Sequence, residues 1–250
     1  HVADAFKDAA RPAIIVGPGG LAAGALHPSL VLADEWDLVR DIDGEAWNGF
    51  NVIHTAAARM GAVMLGYAQN GGIKDVVDAA PAVLLSLGAD AVDYGAFEKS
   101  LKVYIGHHGD AGAHAADIIL PGASYAEKPG TYVNLEGRVQ RGEKAVFAPG
   151  DAREDWSILR ALSEALGATV PFDSFDALRA EMVKAVPALG VEGVADYGWS
   201  LPSLPTGATG EFGSPIKDFY ITNAICRASP TMQTCSAELI HGESFAEAAE

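Results

Sequence analysis

The chain has 250 residues, 49% of them hydrophobic and 20% charged, with a formal net charge of −16 and a pI of about 4.7. That is enough apolar material for one sizeable core, or for one domain with an appendage. The acidity, with no cluster of Lys and Arg, excludes a nucleic-acid or lipid-headgroup surface as the natural partner and leaves a basic docking patch on another protein.

The chain starts without Met, and His1-Val2-Ala3-Asp4-Ala5-Phe6 reads like the middle of a helix. With no signal-peptide pattern, the expectation is a soluble fragment of a longer protein. Arg11 to Gly17 reads as a buried strand, apolar and β-branched in its middle and ended by glycine. The apolar stretch Ala13 to Leu26 is broken by Gly17, Pro18, Gly19, Gly20 and Gly24, so it is no membrane span. From about Asn51 to Leu65, the spacing of Val52, Ile53, Ala56, Ala57, Met60, Val63 and Met64 predicts a helix with one apolar face. Ala82 to Gly88, Leu101 to Gly106 and the short Ala116 to Pro121 read as three further buried strands. Such strands, separated by helical or mixed segments, predict an open, mostly parallel, doubly wound α/β sheet.

Thr131 to Asn134 alternates as a strand, Glu136-Gly137 turns, and Arg138 to Gln140 continues extended. A helix follows, with Asp151 as the expected N-cap, Glu154 completing a capping box, and Gly167 past its end. Trp156, Leu159, Leu162 and Leu166 give its apolar stripe. A second amphipathic helix runs from about Phe175 to Val186. The expected organisation is an α/β domain over 1–186, a Gly/Pro-rich linker or surface loop over 187–215, and a docking tail over 216–250. The tail opens on an apolar-aromatic patch, Ile216, Phe219, Tyr220 and Ile221, and ends in Ala and Glu, which would be solvated.

Several residue groups raise chemical possibilities. Gly17-Pro18-Gly19-Gly20-Leu21-Ala22 follows a strand and fits G-x-G-x-x-A, in which glycines let a backbone approach a pyrophosphate. Pro18 removes an amide donor there, and Gly24 and Pro28 weaken the expected helix; the alternative is a tight turn. His107, His108 and His114, with Asp110, could bind a metal. Adjacent histidines on an extended chain point apart, however, which favours a polar loop. Glu127, Lys128, Glu136 and Arg138 lie around two turns. Their alternating charges imply ionised, paired carboxylates rather than an acid with a raised pKa. Gly122-Ala123-Ser124-Tyr125-Ala126 lacks the second glycine of a nucleophile elbow. Cys226 and Cys235 match no zinc or iron–sulfur spacing and read as free thiols, with a disulfide as the alternative.

Ala116-Asp117-Ile118-Ile119-Leu120-Pro121, Glu127-Lys128 and Gly130-Thr131-Tyr132-Val133-Asn134-Leu135-Glu136-Gly137-Arg138-Val139-Gln140 stand in fixed order over about 25 residues. This run resembles the signature of the molybdopterin oxidoreductase superfamily. Gly106 to Asp110, Ala152 to Trp156, Arg160 to Glu164, Ile216 to Tyr220, Arg227 to Ser229 and Thr231-Met232 resemble the large iron–sulfur subunit of NADH:quinone oxidoreductase. The resemblance covers most of the chain and is weakest from Pro187 to Pro215.

It implies the C-terminal scaffold of that large iron–sulfur subunit in respiratory complex I. The complex passes electrons from NADH through FMN and Fe–S clusters toward quinone and couples this to proton translocation. The [2Fe–2S] and [4Fe–4S] clusters are expected in an N-terminal part outside this chain, and FMN in a partner subunit. No catalytic, cofactor-binding or metal residue is assigned here, and the Glu136-Gly137-Arg138 motif is expected to be an architectural turn. Expected partners are the flavin-bearing, NADH-binding subunit and neighbouring iron–sulfur subunits of the peripheral arm. That arm lies on the cytoplasmic face of a bacterial inner membrane, or on the matrix side in a mitochondrion. The rival implication is a fragment of a true molybdopterin oxidoreductase, of the formate dehydrogenase or nitrate reductase type.

Overall fold

In the computed structural model, residues 2–67, 72–194 and 210–242 are described. They fall into two units: 1–60 with 133–138 and 193–217, and 61–132 with 139–192 and 218–250. Both carry parallel strands with intervening helices, which makes the chain an α/β protein.

In the first unit, α1 (Val2–Asp8) precedes β1 (Ile14–Val16), which pairs in parallel with β4 (Phe50–Val52), Ile14 facing Phe50 and Val16 facing Val52. A five-residue helix α2 (Pro18–Ala22) and the longer α3 (Leu26–Glu35) follow β1. Leu30 and Ala33 of α3 join Val16, Leu38 and Phe50 in one buried cluster, with Phe6 and Trp36 packed against it. Pro28 is the third residue of α3, within the first turn, where backbone N–H groups have no intrahelical acceptor; it starts the helix at little cost. β2 (Val39–Ile42) and β3 (Glu45–Asn48) form an antiparallel hairpin. Its two-residue loop, Asp43-Gly44, has positive φ at both positions (56° and 82°), the twist that suits a tight hairpin.

The helix expected over Asn51 to Leu65 is corrected. Its first residues are strand β4, and only α4 (Arg59–Met64) is helical. Ala58, at φ 57°, breaks the chain between them. Backbone pairing with β1 overrides the helical spacing of the side chains.

In the second unit, α5 (Ile73–Asp78) leads into three parallel strands in the order β5 (Val83–Leu87), β6 (Leu101–Gly106), β7 (Ile118–Pro121). A 3-10 turn (Tyr94–Phe97) and the short helix α6 (Ala111–Ala115) lie in the connections. β8 (Gly130–Val133) and β9 (Arg138–Gly142) form a hairpin whose tip, 133–138, belongs to the first unit. Helices α7 (Asp155–Ala165) and α8 (Phe175–Ala185) follow. The N-cap of α7 is Glu154, not Asp151, and Asp151 is almost fully exposed. Asp155, in the first turn, pairs with Lys128 and fixes where the helix begins. Gly167 takes φ 72° past the end of α7, as its position predicted.

Within the stretch expected as a linker, Pro187–Gly190 forms a 3-10 turn with Leu189 buried, and Gly193–Val194 forms the two-residue strand β10. Residues 195–209 lie outside the described residues. In the tail, α9 (Ala224–Ala228), α10 (Pro230–Cys235) and a π-helical turn (Ser236–Ile240) succeed one another. The aromatic patch is partly open, with Phe219 exposed and its ring 4.5 Å from that of Tyr220. Most of the Ala/Glu-rich end, from residue 243, is outside the described residues.

Tyr104 of β6 sets the spacing at the carboxyl end of the sheet. It is 2% exposed, and its hydroxyl donates to Asp90 Oδ2 at 2.8 Å. Gly112 N donates to the other oxygen, Asp90 Oδ1, at 3.1 Å. A Cβ at either Gly106 or Gly112 would overlap the Tyr104 ring, so both must be glycine for α6 to approach β6. Burial, reinforced by the bond to Asp90, pushes the Tyr104 phenol well above its ordinary value and keeps it protonated as a donor. Gly112→Ala therefore overpacks the ring and lowers stability by about 1–3 kcal/mol. Gly109→Ala, at an exposed position with open space around it, shifts stability by less than about 0.5 kcal/mol. Urea unfolding of the two variants checks the contrast.

Candidate functional site

Open α/β sheets bind ligands at the carboxyl ends of their strands. Here that edge is built from Gly88 to Asp90 after β5, Gly106 to Asp110 after β6, and Pro121 to Glu127 after β7. A cavity of about 430 Å³ lies there, lined by His107, His108, Gly122, Ser124, Glu127 and Asp151 among others.

The histidines differ from expectation. The chain leaves the extended state after Gly106, so the two rings face each other edge to face, with Nδ1 atoms 2.6 Å apart. At that contact one nitrogen donates and the other accepts, so the pair cannot hold two imidazolium rings. Desolvation, then the charges of His108 and Lys128, hold His107 below the usual imidazole value. His114 sits apart on α6, and among the described residues no three His, Cys, Asp or Glu side chains converge to hold a metal ion.

The segment after β7 is a strand extension rather than a nucleophile elbow. Gly122 N donates to Gly106 O at 2.8 Å and Ala123 N to Arg153 O at 2.7 Å. Glu127 Oε2 accepts from Ser124 N at 2.8 Å, and Lys128 pairs with Asp155. In the hairpin tip, Asn134 Oδ1 accepts from both Glu136 N (3.0 Å) and Arg138 N (2.9 Å), Gly137 takes φ 77°, and Glu136 and Arg138 lie 3.6 Å apart. The Asn-x-Glu-Gly-Arg run thus explains its own residue types as a turn.

The glycine-rich turn after β1 is also occupied by the chain itself. A Cβ on Gly19 would sit 2.5 Å from Gly213 O, and Gly210 N donates to Ala23 O at 3.4 Å. The close approach that Gly19 allows is made by residues 210–213, where a pyrophosphate would need to lie. Saturating NAD(H) is therefore expected to leave the melting temperature unchanged at this site. A rise of several degrees, the signature of a ligand selective for the folded state, would contradict the assignment.

One cross-link was not anticipated from the sequence. Arg227 Nε of α9 donates to Asp110 Oδ2 at 2.5 Å, and its Nη1 to Ile221 O at 3.1 Å. Both partners are largely buried, and Asp110 belongs to the loop after β6. The pair ties the C-terminal helices to the carboxyl edge of the sheet. Nearby, Asp218 accepts from Ser236 Oγ at 2.5 Å and faces His241 at 3.8 Å. Only the 117-residue separation hid the Asp110 contact.

With this geometry in view, residues 1–165 match the model of the molybdopterin oxidoreductase family. The chain belongs to the molybdopterin oxidoreductase family. Residues 199–235 also match a second family model, that of the C-terminal region of an NADH-ubiquinone oxidoreductase subunit. Similar proteins include the NADH-ubiquinone oxidoreductase 75 kDa subunit of Reclinomonas americana, 41% identical over 76% of this chain and 29% of the relative. The mitochondrial 78 kDa subunits of Neurospora crassa (41% identical, 93% of this chain, 33% of the relative) and Candida albicans (38%, 94% and 34%) are similar over nearly the whole chain. The chain thus spans about a third of the length of these relatives.

For a molybdopterin oxidoreductase chain of this composition, thiolate-held clusters do not fit. A [2Fe–2S] or [4Fe–4S] centre takes four protein ligands, all cysteine thiolates or, in Rieske centres, two cysteines and two histidines, and no three His, Cys, Asp or Glu side chains converge on the free Cys226 and Cys235 among the described residues. A pterin is not called for by the Asn134 to Arg138 turn, where Asn134 and the Glu136–Arg138 pair bond within the turn itself. No helix among the described residues is long and apolar enough to cross a membrane.

The Asp110–Arg227 pair gives a pH signature. Burial raises the Asp110 carboxyl, but hydrogen bonds from Arg227 and the backbone outweigh it and hold the group below its ordinary value. A depressed carboxyl stabilises the fold above the unfolded value of about 4 and loses that contribution as pH falls through the folded value. Proteolysis of segment 218–242 is expected to accelerate below about pH 4. Arg227→Ala should accelerate it already at neutral pH, at a cost of about 1–2 kcal/mol. Equal proteolysis of the variant and the parent at pH 7 would contradict this.

Proposed function

We propose that this chain is the C-terminal scaffold part of the large iron–sulfur subunit of NADH:quinone oxidoreductase. The observation that carries the reading is similarity to NADH-ubiquinone oxidoreductase subunits over 93–94% of the chain, with the second family match falling on the tail as well. A true formate dehydrogenase or nitrate reductase is not favoured by that tail match. The [2Fe–2S] and [4Fe–4S] clusters belong to the part of the subunit outside this chain, and FMN to a partner subunit. Electrons pass from NADH through these centres toward quinone, coupled to proton translocation.

No residue of this chain is assigned to catalysis, to a cofactor or to a metal. Residues 1–186 form the α/β body, 187–215 connect, and 216–250 dock. The partners are the flavin-bearing subunit and neighbouring iron–sulfur subunits of the peripheral arm. The arm is placed on the cytoplasmic face of a bacterial inner membrane, or in the matrix of a mitochondrion. Partly exposed Ile216 and exposed Phe219 make the start of the tail a suitable contact, since exposed apolar patches mark interaction sites.

Deleting residues from Ile216 onward in the full-length subunit tests this. The truncated subunit should keep its iron but fail to enter the assembled complex. A complex of unchanged mass and unchanged NADH:quinone activity would overturn the docking role.

A further inference from the structure

Asparagine followed by glycine is open to a reaction within the chain. The glycine amide nitrogen loses its proton and attacks the Asn carboxamide carbon, a five-membered succinimide closes, and ammonia leaves. Water then opens the ring to aspartate, or to iso-aspartate, in which the main chain runs through the side-chain carbon. A side chain on the second residue hinders the attack, and glycine has none. Asn48-Gly49 is such a dipeptide, and it stands where β3 gives way to β4.

Packing demands this glycine. A Cβ on Gly49 would lie 2.3 Å from Pro12 O, 2.8 Å from Leu38 O and 2.9 Å from Trp47 Nε1. Separate chain segments meet there at a distance that only a hydrogen atom permits. The residue that the fold needs is thus the one that opens Asn48 to attack.

The same junction withholds the reaction. Gly49 N, the nucleophile, donates to Leu38 O at 2.8 Å, and Gly49 O accepts from Ile14 N at 2.7 Å. Ring closure would break the first bond and twist the peptide that makes the second. Asn48 Oδ1 accepts from Phe50 N at 3.1 Å, which ties the carboxamide down as well. Asn48 is exposed to water, while Gly49 and Phe50 are buried. The water that the reaction consumes is therefore at hand, and the backbone geometry is what holds it back. Local opening of the first unit releases all three hydrogen bonds.

We propose that Asn48 is a modification site gated by folding: its carboxamide persists while the first unit is closed and is hydrolysed through the succinimide when that unit opens. The iso-aspartyl product is the consequential one. It lengthens the main chain by one methylene just before Gly49. Gly49 then cannot keep both Leu38 and Ile14 as partners while Phe50 stays opposite Ile14. An ordinary aspartate keeps the main-chain length and the acceptor for Phe50 N. The chain carries in this dipeptide a one-way record of the time its first unit has spent open.

Peptide mapping by mass spectrometry tests this on the full-length protein, aged at mildly alkaline pH in native buffer and in urea. The same dipeptide recurs at Asn70-Gly71, outside the described residues, so the two peptides are read separately. Deamidation of Asn48 is expected to run at least ~10-fold slower in the native sample than in urea. Equal rates overturn the proposal, and so does an Asn48 that stays intact in urea. On removal of the urea, chains with iso-aspartate at position 48 should stay protease-sensitive in the first unit, while the Asn48→Asp variant regains the resistance of the parent. Recovery of the iso-aspartyl chains overturns the one-way step. Failure of Asn48→Asp to recover overturns it too, by placing the fault in the new charge rather than in the longer main chain.

Discussion

The carboxyl edge of the second unit depends on one buried phenol. A tyrosine with 2% exposure must place its hydroxyl on an acceptor or lose the desolvation cost of a bare polar group. Asp90 is that acceptor, and it also receives the amide of Gly112 at the start of α6. The ring lies where side chains on Gly106 and Gly112 would be, so its thickness sets how closely α6 approaches the end of β6. From that fixed loop, Asp110 reaches Arg227 and holds the C-terminal helices in place. Local composition at three positions thereby decides where a segment more than a hundred residues away is attached.

The same edge is where an α/β protein would hold a ligand, and here its polar groups are engaged with each other. His107 meets His108, Glu127 meets the amide of Ser124, and Lys128 meets Asp155. In the first unit, Asn134 closes its own turn and Gly19 admits the chain's own backbone. In a scaffold, polar groups that would recognise a cofactor do more for stability by satisfying one another. This pattern supports a chain retained for its shape and its contacts.

Much of the fold was legible, for physical reasons that can be named. β1, β5, β6 and β7 are short apolar runs ended by glycine or proline, which marks them as parallel strands; the burial expected of them is not met, since Ile15, Val83, Leu85, Leu87, Leu101, Ile118 and Ile119 are exposed. Gly167 announced the end of α7 through its left-handed backbone. The Asp43-Gly44 dipeptide marks a hairpin turn, but the strands beside it carry Arg, Asp and Glu, so no apolar alternation announces them. The false helix over Asn51 to Leu65 arose because the end of β4, the six loop residues 53–58 and the six-residue α4 together mimic one helical stripe. Asp151 looked like a cap, yet the Lys128–Asp155 pair, a long-range contact, set the start of α7 further along the chain. The orientation of His107 and His108 required knowing that the strand ends at Gly106. Tyr104–Asp90 and Asp110–Arg227 are side-chain pairings that no periodicity encodes.

The central claim is that electron-carrying groups lie outside these 250 residues. Its most direct test is iron accounting in the full-length subunit with Cys226→Ser and Cys235→Ser combined. Iron and acid-labile sulfide per polypeptide, and the paramagnetic resonance spectrum of the reduced protein, should match those of the unsubstituted subunit. Loss of one cluster's worth of iron, with disappearance of one of its signals, would contradict the account.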